Sequence, residues 1–589
     1  MHPSDLFHAV SRPFRRAFSA RSAAAPFLVA VFALAGVRAV GVGLVQMPFN
    51  GWDELPHIAV AYAVHTTGRM PTPRTPMPRE LVPFITAHPH PTTSLSMLRG
   101  IDARPYPGGS PACGIEPAKR FDMFLYQAQH GPLFYHLAAL FCPGPDPARL
   151  LAWVDGVRLF NAALLLLTLG LWRFALGRCL PARGPLAWLP DGVLLLCAGF
   201  SYVAYDFVRF ANDGLALFLG SAALALAVAW KNPVPRPATS QAWRGATLGA
   251  LTGLAVLAKA TALPLVPVLG LLLAWPCLGP GRTRRERLAA LTGLAAFVCG
   301  YAAVAGPYHW PYLVQYGQLT GMQEAIYASR RGFGLGRLLL ATRDLGYGLF
   351  RNPVLYNAMP HVAGWSNLSS PTWLNQGFKL ALSGCALALG AALVRPQARR
   401  QAGRLMAAAP ELPLLFAFCT LALFFHALHS TLAWGFPTTG SWYAMAALPA
   451  LFLLLLLGPA LLGPRAGLAA LFFLAVLCNV AYLGGTYDTL LAEETGQAGY
   501  FAAFRIAAGH HALGGPRLAL LPFVELACLA VALGLAARRV LAGRQVRVPR
   551  APLTLLHPAP GPGAQAVAPF AAPPLATPAE TTCDARTGT

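Results

Sequence analysis

The 589-residue sequence predicts an all-α protein that crosses a membrane many times, on three observations. Hydrophobic residues make up 56% of it and charged residues only 11%, where a soluble domain carries about 25% charged. Mean hydropathy is +0.51, and even a large soluble core leaves a polar shell that these residues cannot fill. The apolar residues also come in runs of roughly 17–25, the length that spans a hydrocarbon layer as helix. Disorder, collagen and small disulfide scaffolds are excluded for the bulk of the chain by the same composition. Lys and Arg outnumber Asp and Glu by 45 to 22, a net charge of +23. Such an excess invites a nucleic-acid reading. Here the arginines sit in short clusters between apolar runs, which is the positive-inside pattern. Membrane lipids, and no nucleic acid, are the expected surroundings.

Residues 1–24 are basic (Arg12, Arg15, Arg16, Arg21), and an apolar run follows from about 25 to 49. Ala33-Leu34-Ala35 resembles a signal-peptidase site, but the run continues well past it, which favours an uncleaved first span. Further runs lie near 150–176, 187–207 and 212–230. The stretch 245–278 divides at Lys259 into two short spans, and the rest fall near 288–306, 378–394, 411–433, 442–462, 466–483 and 517–537. Residues 131–141 are also apolar, but as helix they rise only about 16 Å, half the hydrocarbon thickness. If they crossed, the arginine clusters at 282–287, 395–404 and 538–550 would face outward, against the orientation rule. They are therefore expected along the membrane surface. About 12 transmembrane helices result, with both termini cytoplasmic and the basic loops (Arg178 and Arg183; Lys231, Arg236 and Arg244; Arg465) inside.

The expected organisation is a cytoplasmic N-terminus (1–24), a transmembrane module (25–306) with an outer loop at 46–149, a second outer loop (307–377) and C-terminal transmembrane helices (378–537). A shorter outer segment covers 484–516, and both long loops are expected to carry surface helices. The tail, 538–589, turns rich in Pro, Ala and Thr from 551 and reads as cytoplasmic disorder. The 11 cysteines include no C-x-x-C pair, so a zinc ribbon or redox motif has no support. Cys113 and Cys142 share the first outer loop and are open to a disulfide or to two free thiols.

The polar residues that tolerate the membrane boundary gather on the outer face, where function is expected. After the first span comes Trp52-Asp53-Glu54-Leu55-Pro56-His57. Asp53 and His57 are four apart and Glu54 and His57 three apart, spacings that share a helical face. The plain alternative is a helix start with Asp53 as its N-cap. Tyr126-Gln127-Ala128-Gln129-His130-Gly131-Pro132-Leu133-Phe134-Tyr135 opens the surface segment, and Arg209-Phe210-Ala211-Asn212-Asp213 lies beside Asp206 between the third and fourth spans. Lys259 occupies the outer turn between two short spans, where snorkelling to the interface is its plain alternative. Gly440-Ser441-Trp442-Tyr443 precedes a late apolar run.

These motifs, in this order, resemble those of the GT-C-type glycosyltransferases, multi-span enzymes that use polyprenyl-phosphate sugars, and most of all their bacterial branches. Asp53-Glu54-Leu55-Pro56-His57 looks like their first outer loop, and Tyr126 to Tyr135 resembles an aromatic-acid-Ala-His-Gln-Pro-Pro-Leu-Tyr-Tyr string. Asn212-Asp213 is similar to an Asn-Asp after the third span, and Ala258-Lys259-Ala260-Thr261 to a Thr-Lys-x-Thr turn. The resemblance covers roughly 25–300 and the remainder in outline. This sequence departs from the pattern at Gln127, where an acid is usual, at Gly131, which replaces a proline, and at Trp442, where an Arg is common.

The resemblance implies a GT-C-like fold and transfer of a sugar from a polyprenyl-phosphate donor to a lipid, glycan or protein acceptor at the periplasmic face of a bacterial inner membrane. Asp53 would be the base for a single inverting displacement, with Glu54 and His57 beside it. Lys259, Arg209, Tyr126, His130, Asn212 and Asp213 would bind the donor and its phosphate. A divalent metal is a further possibility, with Glu54, His57 and His130 as candidate ligands, though they lack a diagnostic spacing. His88-Pro89-His90 reads as loop. In the second outer loop Trp310, Tyr312, Tyr316, Tyr327, Tyr347, Tyr356, Trp365 and Trp373 form either an interfacial belt or a platform for sugar and prenyl chain, with Arg330 and Arg331 as further phosphate contacts. Arg38, inside the first span, has no partner evident in the sequence. A transporter or flippase of lipid-linked sugars and a non-catalytic scaffold are the competing readings; the transporter predicts ionisable residues near mid-membrane on several helices.

Overall fold

The computed structural model describes residues 25–46, 48, 53–81, 125–351, 372–434 and 445–542, apart from short gaps at 145, 182–183, 232–236, 279–281, 332–334, 496, 498 and 513–514. The chain divides into Met1–Arg544 and Gln545–Thr589, and the second unit lies outside the described residues. So do Cys113, His88, His90, Tyr356, Trp365, Trp442 and Tyr443, and the side chains of Arg330, Arg331 and Tyr347.

The described chain is helical, without strands. In order the helices are α1 (Ala25–Val45), α2 (Glu54–Thr67), α3 (Leu133–Ala139), α4 (Pro147–Cys179), α5 (Leu189–Gly199), α6 (Ser201–Val208), α7 (Asp213–Ala229), α8 (Ala238–Ala258), α9 (Leu265–Leu278) and α10 (Arg284–Tyr316). They continue as α11 (Gln323–Arg331), α12 (Leu335–Arg351), α13 (Thr372–Val394), α14 (Pro396–Ala408), α15 (Glu411–Trp434), α16 (Leu448–Leu462), α17 (Pro464–Leu483), α18 (Leu491–Thr495), α19 (Tyr500–Gly509) and α20 (Leu521–Ala542). Every apolar run of the sequence carries helix. Among the described residues nine segments are long and apolar enough to cross a membrane, in α1, α4, α9 with the turn before it, α10, α13, α15, α16, α17 and α20. The apolar α5 and α7 have only 11 and 17 residues. α8 has 21 but includes Ser240, Gln241, Arg244 and Thr252. The molecule is a multi-pass membrane protein; twelve spans with cytoplasmic termini is the topology we propose for it.

Local signals explain several boundaries. α10 begins at a capping box: Thr283 Oγ1 accepts from the Glu286 amide (3.2 Å) and Glu286 Oε2 accepts from the Thr283 amide (2.9 Å). The surface segment is shorter than its apolar run: Tyr126–Gln129 form a 3-10 turn and α3 has only seven residues, about 10 Å of rise. α12 exposes Leu335, Leu339 and Leu340 beside its arginines, the profile of a helix lying at an interface.

Packing follows the membrane rule that small residues bring helices together. Gly245, Gly249 and Gly253, four apart on α8, face α10 closely, and a Cβ on Gly249 would overlap the Phe297 carbonyl. α5 and α6 are one helix broken at Phe200, and Arg38 of α1 supplies what the break leaves unpaired. Its guanidinium donates to the Gly199 carbonyl (2.5 Å), the Ala198 carbonyl (3.3 Å) and Asn479 Oδ1, and lies over the Tyr482 ring at 4.3 Å. Nε faces Glu525 Oε2 of α20 at 3.7 Å. Arg38 is therefore not an isolated intramembrane charge, as the sequence left it, but one end of a buried ion pair.

Candidate active site

The site forms where the chain leaves α1 and re-enters at α2. Asp53 takes φ 54°, ψ 12°, the single non-glycine residue of positive φ among the described residues. This left-handed conformation is one that Asp and Asn tolerate better than other side chains. It holds the N-cap position of α2, yet its side chain caps nothing. The carboxylate instead accepts a hydrogen bond from the Tyr126 hydroxyl. The plain helix-cap alternative therefore fails at Asp53. Partial withdrawal from water raises its pKa, against the hydrogen bond from Tyr126 and the positive fields of Arg209 and Lys259, which pull it down.

Glu54, its neighbour in sequence, has a different place. Its carboxylate is fully buried and gripped by Arg158 of α4, Nε to Oε1 at 2.7 Å and Nη2 to Oε2 at 2.6 Å. The Phe210 amide adds a third hydrogen bond at 2.7 Å. Arg158 also donates to the Gln46 carbonyl at 2.7 Å and the Gly43 carbonyl at 3.1 Å. This pair fastens the end of α1, the start of α2, α4 and the α6–α7 link. Both Glu54 oxygens are thereby committed to a structural anchor, which leaves Glu54 without the free oxygen that a base beside Asp53 would need. Arg158 stands in the sequence only as a charge inside the second apolar run, and nothing there marks Glu54 as its partner.

The cations converge on a third carboxylate. Lys259 ends α8 in extended backbone, and its Nζ donates to Asp213 Oδ1 at 2.6 Å. Arg209 Nη2 donates to Asp213 Oδ2 at 2.7 Å and approaches Asp206 at 3.5 Å. Asn212 donates to the Ala258 carbonyl (2.9 Å), tying the start of α7 to the end of α8. Asn161 of α4 holds the Arg209 and Ala211 carbonyls at 2.8 and 3.2 Å. Lys259 is buried, so snorkelling does not describe it.

His57 completes the wall. The Tyr135 hydroxyl donates its one proton to the Gln127 carbonyl at 2.9 Å, so at 2.8 Å it accepts from His57 Nδ1. That assigns the proton to Nδ1 and leaves Nε2 the acceptor. The bond uses the Gln127 backbone, and an acid in place of that side chain would not change it. Burial, with Lys259 next, lowers the pKa of His57 well below its usual value and that of His130 to about 3, so both imidazoles are neutral. The two rings stack 6.2 Å apart at 15° and do not converge on a common point. With Glu54 committed to Arg158, the donors do not fit a divalent metal. Among the described residues no three His, Cys, Asp or Glu side chains are grouped to hold one. Gly131 has its own reason: its backbone lies against Leu257 of α8, where a Cβ would come within 2.7 Å of Leu257 Cα.

The end of α10 and the start of α11 reach the same place. Tyr308 donates to the Gln129 carbonyl at 3.0 Å, and the Gln323 amide donates to Gln129 Oε1 at 2.9 Å. α11 thereby docks with Glu324 near enough for its carboxyl to feel Asp53, and burial raises its pKa. Glu324 does not stand out in sequence among the aromatics and arginines of this segment; an acid opening an amphipathic helix is its one signal. Between α11, α15 and the turn after Lys259 lies a largely apolar cavity of about 490 Å³, lined by Thr261, Pro264, Glu324, Phe418, His426 and His429 among others. Of the aromatics in residues 307–377, Trp310, Tyr327 and Trp373 are exposed, as interfacial residues are.

No protein-family model matches the chain, and no curated protein matches it. Among solved structures it is similar to ArnT from Cupriavidus metallidurans bound to undecaprenyl phosphate, at 15% identity and a TM-score of 0.39, over 88% of this chain and 78% of that one. It is also similar to the archaeal oligosaccharyltransferase AglB from Archaeoglobus fulgidus in complex with an inhibitory peptide and a dolichol-phosphate, at 12% identity and a TM-score of 0.36. That likeness covers 87% of this chain but 56% of AglB, so the chain spans about half the length of the archaeal enzyme. Neither TM-score reaches 0.5, and the chemistry below rests on the residues themselves.

Proposed function

We propose that the chain is an inverting glycosyltransferase that moves a sugar from a polyprenyl-phosphate donor to an acceptor hydroxyl at the outer face of a bacterial inner membrane. One observation carries this reading: Asp53 is held off the helix it precedes, partly buried, in the field of two cations that share Asp213. A sugar on a lipid phosphate already has a good leaving group, so the reaction needs a base, positioning and positive charge. Asp53 accepts the proton of the acceptor hydroxyl, whose oxygen attacks the anomeric carbon from the face opposite the phosphate. The carbon–phosphate-oxygen bond breaks and its electron pair leaves with the phosphate. Lys259 and Arg209 then offset the charge that develops there. His57, neutral and with Nε2 as acceptor, orients a hydroxyl and takes no proton. The cavity beside Thr261 and Glu324 suits an apolar stretch of donor or acceptor.

Asp53→Asn tests this, because Asn tolerates the same backbone and accepts a hydrogen bond but takes no proton. In a strain lacking the protein, mass spectrometry of envelope glycans and lipids should show a missing sugar that wild type restores. Asp53→Asn should restore it at a rate lower by about 10²–10⁴-fold. Full restoration by Asp53→Asn would sink the mechanism and favour the flippase reading, to which the buried Arg38–Glu525 pair lends its one observation.

A further inference from the structure

α7 starts at Asp213 in the site and ends 17 residues on, about 26 Å away. At that far end lies a second cavity, of about 410 Å³, formed by the last turns of α7 and α9 and the first turns of α8, α10 and α15. Lys231, Arg244 and Arg282 line it against one carboxylate, Glu411. Lys231 Nζ is 2.9 Å from Glu411 Oε1 and 2.7 Å from the Ala408 carbonyl. Arg244 donates to the Trp230 carbonyl at 3.1 Å and lies over the Trp230 ring at 5.3 Å. Arg282 pairs with Glu286 at 3.1 Å, and the exposed Arg284, Arg285 and Arg287 follow on the same turn. Three cations thus meet one carboxylate in the cavity wall, with three further exposed arginines and Glu286 on the first turn of α10. The remaining wall is apolar (Leu248, Leu269, Leu272, Leu273), and Trp275, Leu288 and Leu291 beside it are more than half exposed.

A soluble phosphate ester would use the cations and leave the apolar wall without a purpose. A phospholipid uses both, with its phosphate at the arginines and its acyl chains along α9 and α10. We propose that this cavity binds the phosphate headgroup of an anionic membrane phospholipid and so ties α7, α8, α9 and α15 together on the face opposite the active site. Basic pockets between spanning helices on the cytoplasmic side are suited to such headgroups. The inference does not depend on glycosyl transfer.

The full-length protein in neutral detergent, titrated with phosphatidylglycerol, phosphatidylcholine or glycerol phosphate, provides the test, with bound lipid read by native mass spectrometry and stability by thermal unfolding. Phosphatidylglycerol should bind and raise the melting temperature, and the other two should do neither. Arg282→Gln, at a half-exposed position that the fold tolerates, should weaken phosphatidylglycerol binding about fivefold. Arg465→Gln, a basic residue of another loop, should leave it unchanged. Equal binding of phosphatidylcholine would overturn the proposal, since charge would not be what is recognised. Equal binding of glycerol phosphate would make the cavity a site for soluble phosphate. No effect of Arg282→Gln, or the same effect from Arg465→Gln, would reduce it to the overall charge of the molecule.

Discussion

At Asp53 the chain accepts two costs at once, a left-handed backbone and a carboxylate withdrawn from water. A raised carboxyl pKa means that ionised Asp53 disfavours the fold: its contribution to stability falls as pH climbs from the ordinary value of 3.8 through the raised one. Asp53→Asn removes that penalty. Its melting temperature should equal or exceed that of wild type at pH 7, with the difference vanishing below about pH 4, while transfer is lost. A lower melting temperature at pH 7 would mark Asp53 as a structural residue after all. Glu54 should behave in the opposite way. Glu54→Gln leaves Arg158 buried without its carboxylate, a change that costs about 3–5 kcal/mol. Its thermal unfolding should drop sharply, and whatever folds should keep its dependence on Asp53. The sequence showed Asp53 and Glu54 as an adjacent acidic pair and offered no means of separating them. Arg158, 104 residues from Glu54, makes the difference.

At the scale of elements, the turn between α8 and α9 joins the site to the helix packing. Lys259→Met leaves Asp213 with Arg209 alone, so it should lower both stability and transfer. The double variant Lys259→Met, Asp213→Asn removes one buried charge of each sign, leaves Arg209 to Asp206, and should regain much of the stability. If Lys259 serves the donor phosphate, transfer should stay at least tenfold down, since one charge-assisted contact contributes about 1.5–3 kcal/mol. Recovered transfer in the double variant would make the pair purely structural. The other side of α8 is fixed by close approach. Gly249→Ala places a methyl on the Phe297 carbonyl and should cost about 1–3 kcal/mol in thermal unfolding, whereas Gly306→Ala on α10, with open space around it, should be neutral or slightly stabilising. Equal behaviour of the two would show that α8 and α10 do not touch there.

At the scale of the whole molecule, sidedness decides which compartment the site faces. The seven residues of α3 are too few to cross a bilayer, so residues 131–141 should stay on one side. A cysteine introduced at Asp146 should react with an impermeant reagent on intact spheroplasts, and one at Arg284 should not. The reverse would place the site on the cytoplasmic side and end the proposal of a periplasmic reaction.

Composition and run length determined by themselves that this is a helical membrane protein, because burying a backbone in lipid leaves few solutions and apolar runs mark them directly. The motifs the sequence singled out also contact one another in pairs: Tyr126 donates to Asp53, Arg209 and Lys259 both donate to Asp213, and His57 stacks on His130. Which of these charges pair with one another was settled only in three dimensions. The pairings run across tens to hundreds of residues, as in Glu54 with Arg158 and Arg38 with Glu525, and the left-handed backbone of Asp53 is equally a product of the fold. A charge in a sequence states its sign. Whether it is spent on a partner or left to face a substrate depends on which other charges the fold brings within 3 Å of it.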